Sequence, residues 1–278
     1  MYIYLYIKME EYTPLIFTRY LYSKEDVTHS LFISILNKNK DEALFWAYEL
    51  YYSGFELDAM NFVLHIFNHI YEKYCPAHFT QFMNNQYHTW YENYEKSVVN
   101  DTVLGTMIWN LFQYDYDLTQ FIDDYFQIKR NILRTPKSNK RRLRLIMNEH
   151  DIEKYKTFIA EPHQSWLILK RVYKYSAHKE YNELFKTTNK DFKQEYLEHW
   201  LYYASFSPIW LKRLTEYAAV IHHETKTISF PDEDKEELFY SLYNYETDEQ
   251  STEICEKSIG NGNEIQLSID DFITQFCK

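Results

Sequence analysis

Glycine and proline are scarce in this chain, at four and six of 278 residues. A loop that cradles phosphate needs glycines so that backbone can approach the ligand closely. Gly54, Gly105, Gly260 and Gly262 match neither the GxGxxG nor the Walker pattern, and no GxSxG nucleophile elbow occurs. Cysteine is also rare: Cys75, Cys255 and Cys277 are too few and too scattered for a disulfide framework. Free thiols fit a reducing compartment. There is no CxxC and no HExxH, so the usual zinc signatures are missing. No apolar run approaches the ~20 residues of a membrane span. Residues 1–8 lack the basic start and small-residue cleavage site of a signal peptide. The expected setting is the cytosol, away from membranes. Positive charge is in deficit, with a formal net charge of -11, which argues against a general nucleic-acid binder.

What is abundant is tyrosine, 28 residues, alongside 17 Asn but only 9 Ala. Tyr, Phe, Asn, Ile and Lys share A/T-rich codons. The bias therefore reads as genome composition before it reads as an adhesive tyrosine surface. The apolar share is 45%, ordinary for a folded chain, and a chain this long can bury a core without disulfides or metals.

Helical periodicity dominates. Ser23 with Asp26 forms a capping pair ahead of the apolar stripe Val27, Leu31 and Ile35. Asn39 with Glu42 opens a second helix, which Ser53-Gly54 stops. A third is expected over 57–74, ended by Pro76, and others over 78–95, 101–114 and 117–131. After a break come 149–159, 162–175, 179–186 and 190–204. Then follow 208–221 with Pro at its first position, 232–243, 247–258 and a last short helix capped by Ser268 with Asp271. Short strands are expected at the alternating residues 1–8 and at 227–230. The fold class is all-α: an irregular α-solenoid (a HEAT-like stack) or a helical bundle. The expected organisation is an N-terminal arm (1–22), a helical half (23–131), a basic loop (132–147), a second helical half (148–225) and an acidic C-terminal region (226–278).

The clearest local anomaly is basic. Lys129, Arg130, Arg134, Lys137, Lys140, Arg141, Arg142 and Arg144 occur with no acidic residue between them, and they include five of the protein's eight arginines. Arg can clamp a phosphate with two parallel hydrogen bonds, so the segment is a candidate site for RNA or DNA phosphates or for an acidic protein surface. Its plainer reading is a solvated linker. Few aromatic residues lie within it, which weakens a single-strand stacking model. The acidic stretch 231–256 could fold back on this loop or meet a basic partner. His65 and His69 share a helical face at a spacing that can ligate zinc, with Cys75 and His78 close behind, yet without a signature they read as ordinary helix histidines. His222-His223-Glu224 is expected at a helix end, where imidazolium would meet the helix dipole. The carboxylates of 232–237 read as a solvated helix face. No catalytic residue, metal site or cofactor is assigned, and the expectation is a non-enzymatic protein.

Three stretches look familiar together: 45–55 (FWAYELYYSGF), Pro208-Ile209-Trp210, and 230–234 (FPDED) running on to Phe239-Tyr240 and Asp248-Glu249-Gln250. The combination resembles an uncharacterised family of helical proteins in nucleocytoplasmic large DNA viruses, the giant viruses, over about residues 23–250. That resemblance implies a viral protein of the infected cytoplasm, with no family active site to carry over. The first stretch reads as packing, with Trp46 and Tyr48 partly buried. A looser, purely architectural likeness is to the helical middle domain of the large translation-initiation scaffold. The expected function is a protein-interaction scaffold or adaptor for viral or host proteins. The alternatives are an RNA-associated factor acting through 129–144 and a virion structural component.

Overall fold

The computed structural model describes residues 14–119, 121–122, 142–158, 161–185 and 191–277. The fold is mostly α-helical with a single small sheet among the described residues. The first helices follow the local signals closely. Helix α1 (Lys24–Leu36) is capped by Ser23, whose side chain accepts from the Asp26 backbone; Asn39 caps α2 (Lys40–Tyr51) through the Glu42 backbone. Beyond α2, Gly54 takes φ +92, and a Cβ there would lie 2.5 Å from Pro208 Cβ. Glycine is therefore required both for the turn and for close approach. Helix α3 (Glu56–Ile66) does not run unchanged to 74 as expected. It passes into a π turn over Phe67–Tyr71 and a 3-10 turn over Glu72–Tyr74 before Pro76. Helices α4 (Ala77–Glu95) and α5 (Thr102–Leu111) follow.

Of the expected helix 117–131, Thr119, Phe121 and Ile122 are helical and residues 120 and 123–131 lie outside the described residues, as does the expected strand at 1–8. The next elements are α6 (Glu149–Ile152) with a 3-10 turn at Glu153–Tyr155, α7 (Ile168–Val172), α8 (Asn182–Phe185), α9 (Lys193–Ala204) and α10 (Pro208–Glu216). Strands β1 (Val220–His222) and β2 (Thr227–Ser229) pair antiparallel, with Ile221 opposite Ile228. Helices α11 (Glu233–Tyr243), α12 (Thr252–Ile259) and α13 (Ile269–Phe276) close the chain, the last with the expected Ser268/Asp271 capping box.

Three expected helices are corrected. Helix 162–175 is reduced to α7 and a 3-10 turn at Ser165–Leu167, because His163 has φ +66, its N–H donates to Ser241 O, and Ser165 Oγ donates to Tyr240 O. Helix 208–221 stops at Glu216: Ala218 has φ +56, and 220–222 pairs as β1. Helix 247–258 begins only at Thr252, since Thr247 Oγ is held by Tyr196 O and Gln250 Nε2 by Trp166 O and Tyr245 O. In the first and third cases a tertiary hydrogen bond stands where a helical one was expected, and in the second a hairpin pair does.

The core centres on residues 15–23, which the sequence assigns to an arm and the start of α1. Phe17, Leu21 and Tyr22 are fully buried. Distant parts of the chain converge there. Arg19 pairs with Glu49 at 2.9 Å and donates to Tyr155 O at 2.8 Å; Tyr22 OH donates to Tyr175 O, Trp210 Nε1 to Thr18 O, and Ser258 Oγ to Leu21 O. A linear stack would confine contacts to sequential neighbours. Here one central segment instead bonds parts of the chain as far apart as Glu49 and Ser258.

Candidate partner-binding surface

Only the end of the basic segment falls within the described residues: Arg142 and Arg144. Lys129, Arg130, Arg134, Lys137, Lys140 and Arg141 lie outside them. Residues 142–148 precede α6 and run along α5. Asn110, buried on α5, offers both ends of its amide to one residue: Leu145 N–H donates to Asn110 Oδ1 at 3.1 Å, and Asn110 Nδ2 donates to Leu145 O at 2.7 Å. One helical turn earlier, Thr106 Oγ1 accepts from Met147 N–H at 3.0 Å. N–H and C=O of Leu145 pointing the same way, with the N–H of Met147 following two residues on, match extended chain. Gly105 makes room for it, since a Cβ there would lie 2.0 Å from Met147 Sδ and 2.7 Å from Tyr48 OH.

This anchoring presents a mixed surface. The Arg142 guanidinium lies 5.3 Å from the Tyr114 ring centroid. That of Arg144 lies 5.0 Å from Phe82 and donates to His78 O at 3.4 Å. Both side chains are thus oriented by cation–π contact instead of hanging free. Between and beyond them, Leu143 is 86% exposed and Ile146 63% exposed. Lys38 adds a third cation, donating to Tyr114 O with its ammonium over the Tyr71 and Tyr116 rings. Burial pushes the nearby Cys75 thiol up to about 12, with Glu72 adding to the rise, so it is a poor nucleophile near neutral pH.

The remaining candidates stay apart from this surface. His65 and His69 stack at 4.0 Å, and burial together with His69 drives His65 down to about 3. Among the described residues no three His, Cys, Asp or Glu side chains gather to hold a metal ion. His222 and His223 do not end a helix as expected: His222 closes β1 and bonds Ser229 Oγ, and His223 stacks on Phe206. Helix α11, with the carboxylates of 232–237, packs on the 165–167 turn, and among the described residues no ion pair joins the acidic region to Arg142 or Arg144. That turn and α11 line an open cleft with Trp166, Glu237, Glu246 and Glu249. Burial and the neighbours Glu249 and Asp248 raise the Glu246 carboxyl.

Sequence reading missed the polar anchors of α2. Asp41 accepts from Lys154 and Tyr155 on one oxygen and from Lys174 and Tyr175 on the other, so two Lys-Tyr dipeptides grip one carboxylate. Burial alone would raise Asp41, but these four donors outweigh it and hold the group well below the ordinary carboxylate range. Next to it, His178 lies 2.8 Å from both Glu42 and Glu180. Burial would lower this imidazole; hydrogen bonds to Glu180 and Glu42 outweigh it and raise the pKa to about 9. The repeated Lys-Tyr dipeptide was the one signal present in sequence, and it does not by itself name Asp41. No family model, curated protein or solved structure matches the chain. Among the described residues no helix is long and apolar enough to cross a membrane.

Proposed function

We propose that the protein is a non-enzymatic adaptor that binds an acidic protein partner through the anchored residues 142–147. The observation that carries this reading is the pairing of two ring-oriented arginines with two strongly exposed aliphatic side chains, Leu143 and Ile146. Arginine among apolar groups is the composition of a protein interface, where charge supplies orientation and apolar burial supplies affinity. RNA phosphates would engage the guanidiniums and leave the aliphatic groups in water. The resemblance to giant-virus helical proteins extends the proposal to a viral or host partner met in the infected cytoplasm.

The test is binding of the full chain to polyglutamate and to single-stranded polyuridylate across a salt series. The expected result is stronger binding of polyglutamate, weakened about tenfold when Arg142→Gln and Arg144→Gln are combined, as for loss of charge-assisted contacts worth ~1.4 kcal/mol. Preferential binding of polyuridylate, with a steep salt slope abolished by the same variant, would replace this reading with an RNA-associated one.

A further inference from the structure

We infer that residues 142–147 act as a sheet edge without a sheet, and that the acidic partner binds by adding an extended strand to it. The inference rests on the acidic-partner reading above and specifies how that partner is held.

In extended chain, the N–H and C=O of one residue point to one side and those of the next to the other. Leu145 directs both of its groups toward α5, onto Asn110, and Met147 directs its N–H there, onto Thr106. Arg144 and Ile146 therefore direct theirs away from α5. Neither backbone makes a hydrogen bond within the described protein, and both residues are exposed. An unpaired extended edge is a ready template for another strand, and proteins use such edges to take up peptides, with main-chain bonds supplying affinity and side chains specificity. Here the helix side chains Asn110 and Thr106 do what a neighbouring strand would do, holding the segment straight while leaving its outer edge open.

The side chains beside that edge choose the occupant. Arg142 and Arg144 favour carboxylates at alternate positions of an incoming strand; Ile146 continues their face, and Leu143, on the opposite face, offers apolar contact for the residues between. A second copy of the same segment would set arginines against arginines, which disfavours self-pairing. The occupant is an extended acidic peptide whose charged residues alternate with aliphatic ones.

The experiment uses the full chain and a synthetic peptide of about ten residues alternating Glu and Val. Hydrogen exchange is followed amide by amide, together with affinity. On binding, exchange at the Arg144 and Ile146 amides slows, while Leu145 and Met147, already bonded to α5, change little. Ile146→Pro removes one outward donor and leaves the inward bonds intact; it lowers affinity about tenfold, the effect of losing ~1.4 kcal/mol. Ile146→Ala, which loses the same apolar contact but keeps the donor, weakens binding less than Ile146→Pro does. A peptide with alternate N-methylated amides binds weakly. Binding that depends on Arg142 and Arg144 but is indifferent to Ile146→Pro and N-methylation overturns strand addition and leaves the acidic-partner reading standing. If neither the peptide nor polyglutamate binds, both readings fall. Circular dichroism and thermal melting of Ile146→Pro establish that its fold is kept, and the N-methylated peptide supplies the same answer on the unaltered protein.

Discussion

At the scale of single residues, Asn110 matters out of proportion to its size. Its amide supplies both partners for Leu145, and it also donates to Thr106 O. Asn110→Ala is expected to lower stability by about 1–3 kcal/mol, the cost of leaving partly buried backbone groups without partners. It should also speed hydrogen exchange at Leu145 more than at amides elsewhere in α5. Uniform destabilisation with no local change at Leu145 would mean that the docked segment does not depend on this side chain. An Asn on a helix is ordinarily read as a surface or capping residue, so nothing in the sequence marks it as an anchor. Gly54 differs. Its role in ending α2 is legible from Ser53-Gly54, but the close approach of Pro208 that also requires it is not.

At the scale of elements, helix starts are the most legible features, because a cap is a local bargain between a side chain and a backbone three residues on. Ser23, Asn39 and Ser268 cap as their sequences indicate. The weaker helices are less legible, since where they begin depends on distant carbonyls such as those of Ser241 and Tyr196. What joins elements is buried charge. Lys179, preceding α8, pairs with Asp26 of α1, with only 7% and 1% of the two side chains exposed. Lys179→Met strands a buried carboxylate and is expected to cost about 3–5 kcal/mol, whereas Lys179→Met with Asp26→Leu should recover most of that loss. Urea unfolding of the single and double variants checks this. Equal midpoints for wild type and the single variant would show that the pair is not a structural tie.

At the scale of the whole molecule, two histidines set opposite limits on stability. His178 is raised to about 9 by its two carboxylates, so its stabilisation is complete below the unfolded value of 6.5 and is lost as pH rises through about 9. His29 is buried and stacked on Phe185, and burial, with Lys179 adding to it, lowers it to about 4. The unfolded chain therefore takes up a proton first, and stability falls as pH drops from 6.5 toward 4. The urea midpoint should be greatest near pH 6.5. His178→Gln should flatten the alkaline limb while leaving the acid limb in place. An unchanged alkaline limb in that variant would remove His178 from the account. The same convergence that buries these groups explains why residues 15–23 are central: Arg19, Thr18, Leu21 and Tyr22 each bond a part of the chain more than 29 positions away.

The all-α class, most helix positions, the caps and the basic anomaly follow from local patterns: apolar spacing, short-range side-chain-to-backbone bonds and charge along the chain. The stretches around Trp46, Gly54 and Pro208-Ile209-Trp210 are visible as motifs. Tertiary structure shows that they meet, with Ile209 N–H donating to Ser53 O and Trp46, Tyr48 and Trp210 wholly buried, more deeply than the partial burial expected of Trp46 and Tyr48. It also set residues 145 and 147 against α5, because that depends on Asn110, Thr106 and Gly105 lying beside residues some 35 to 42 positions later. Local signals act over a helical turn or a strand pair, whereas such an anchor exists only once chain closure has brought the two segments together.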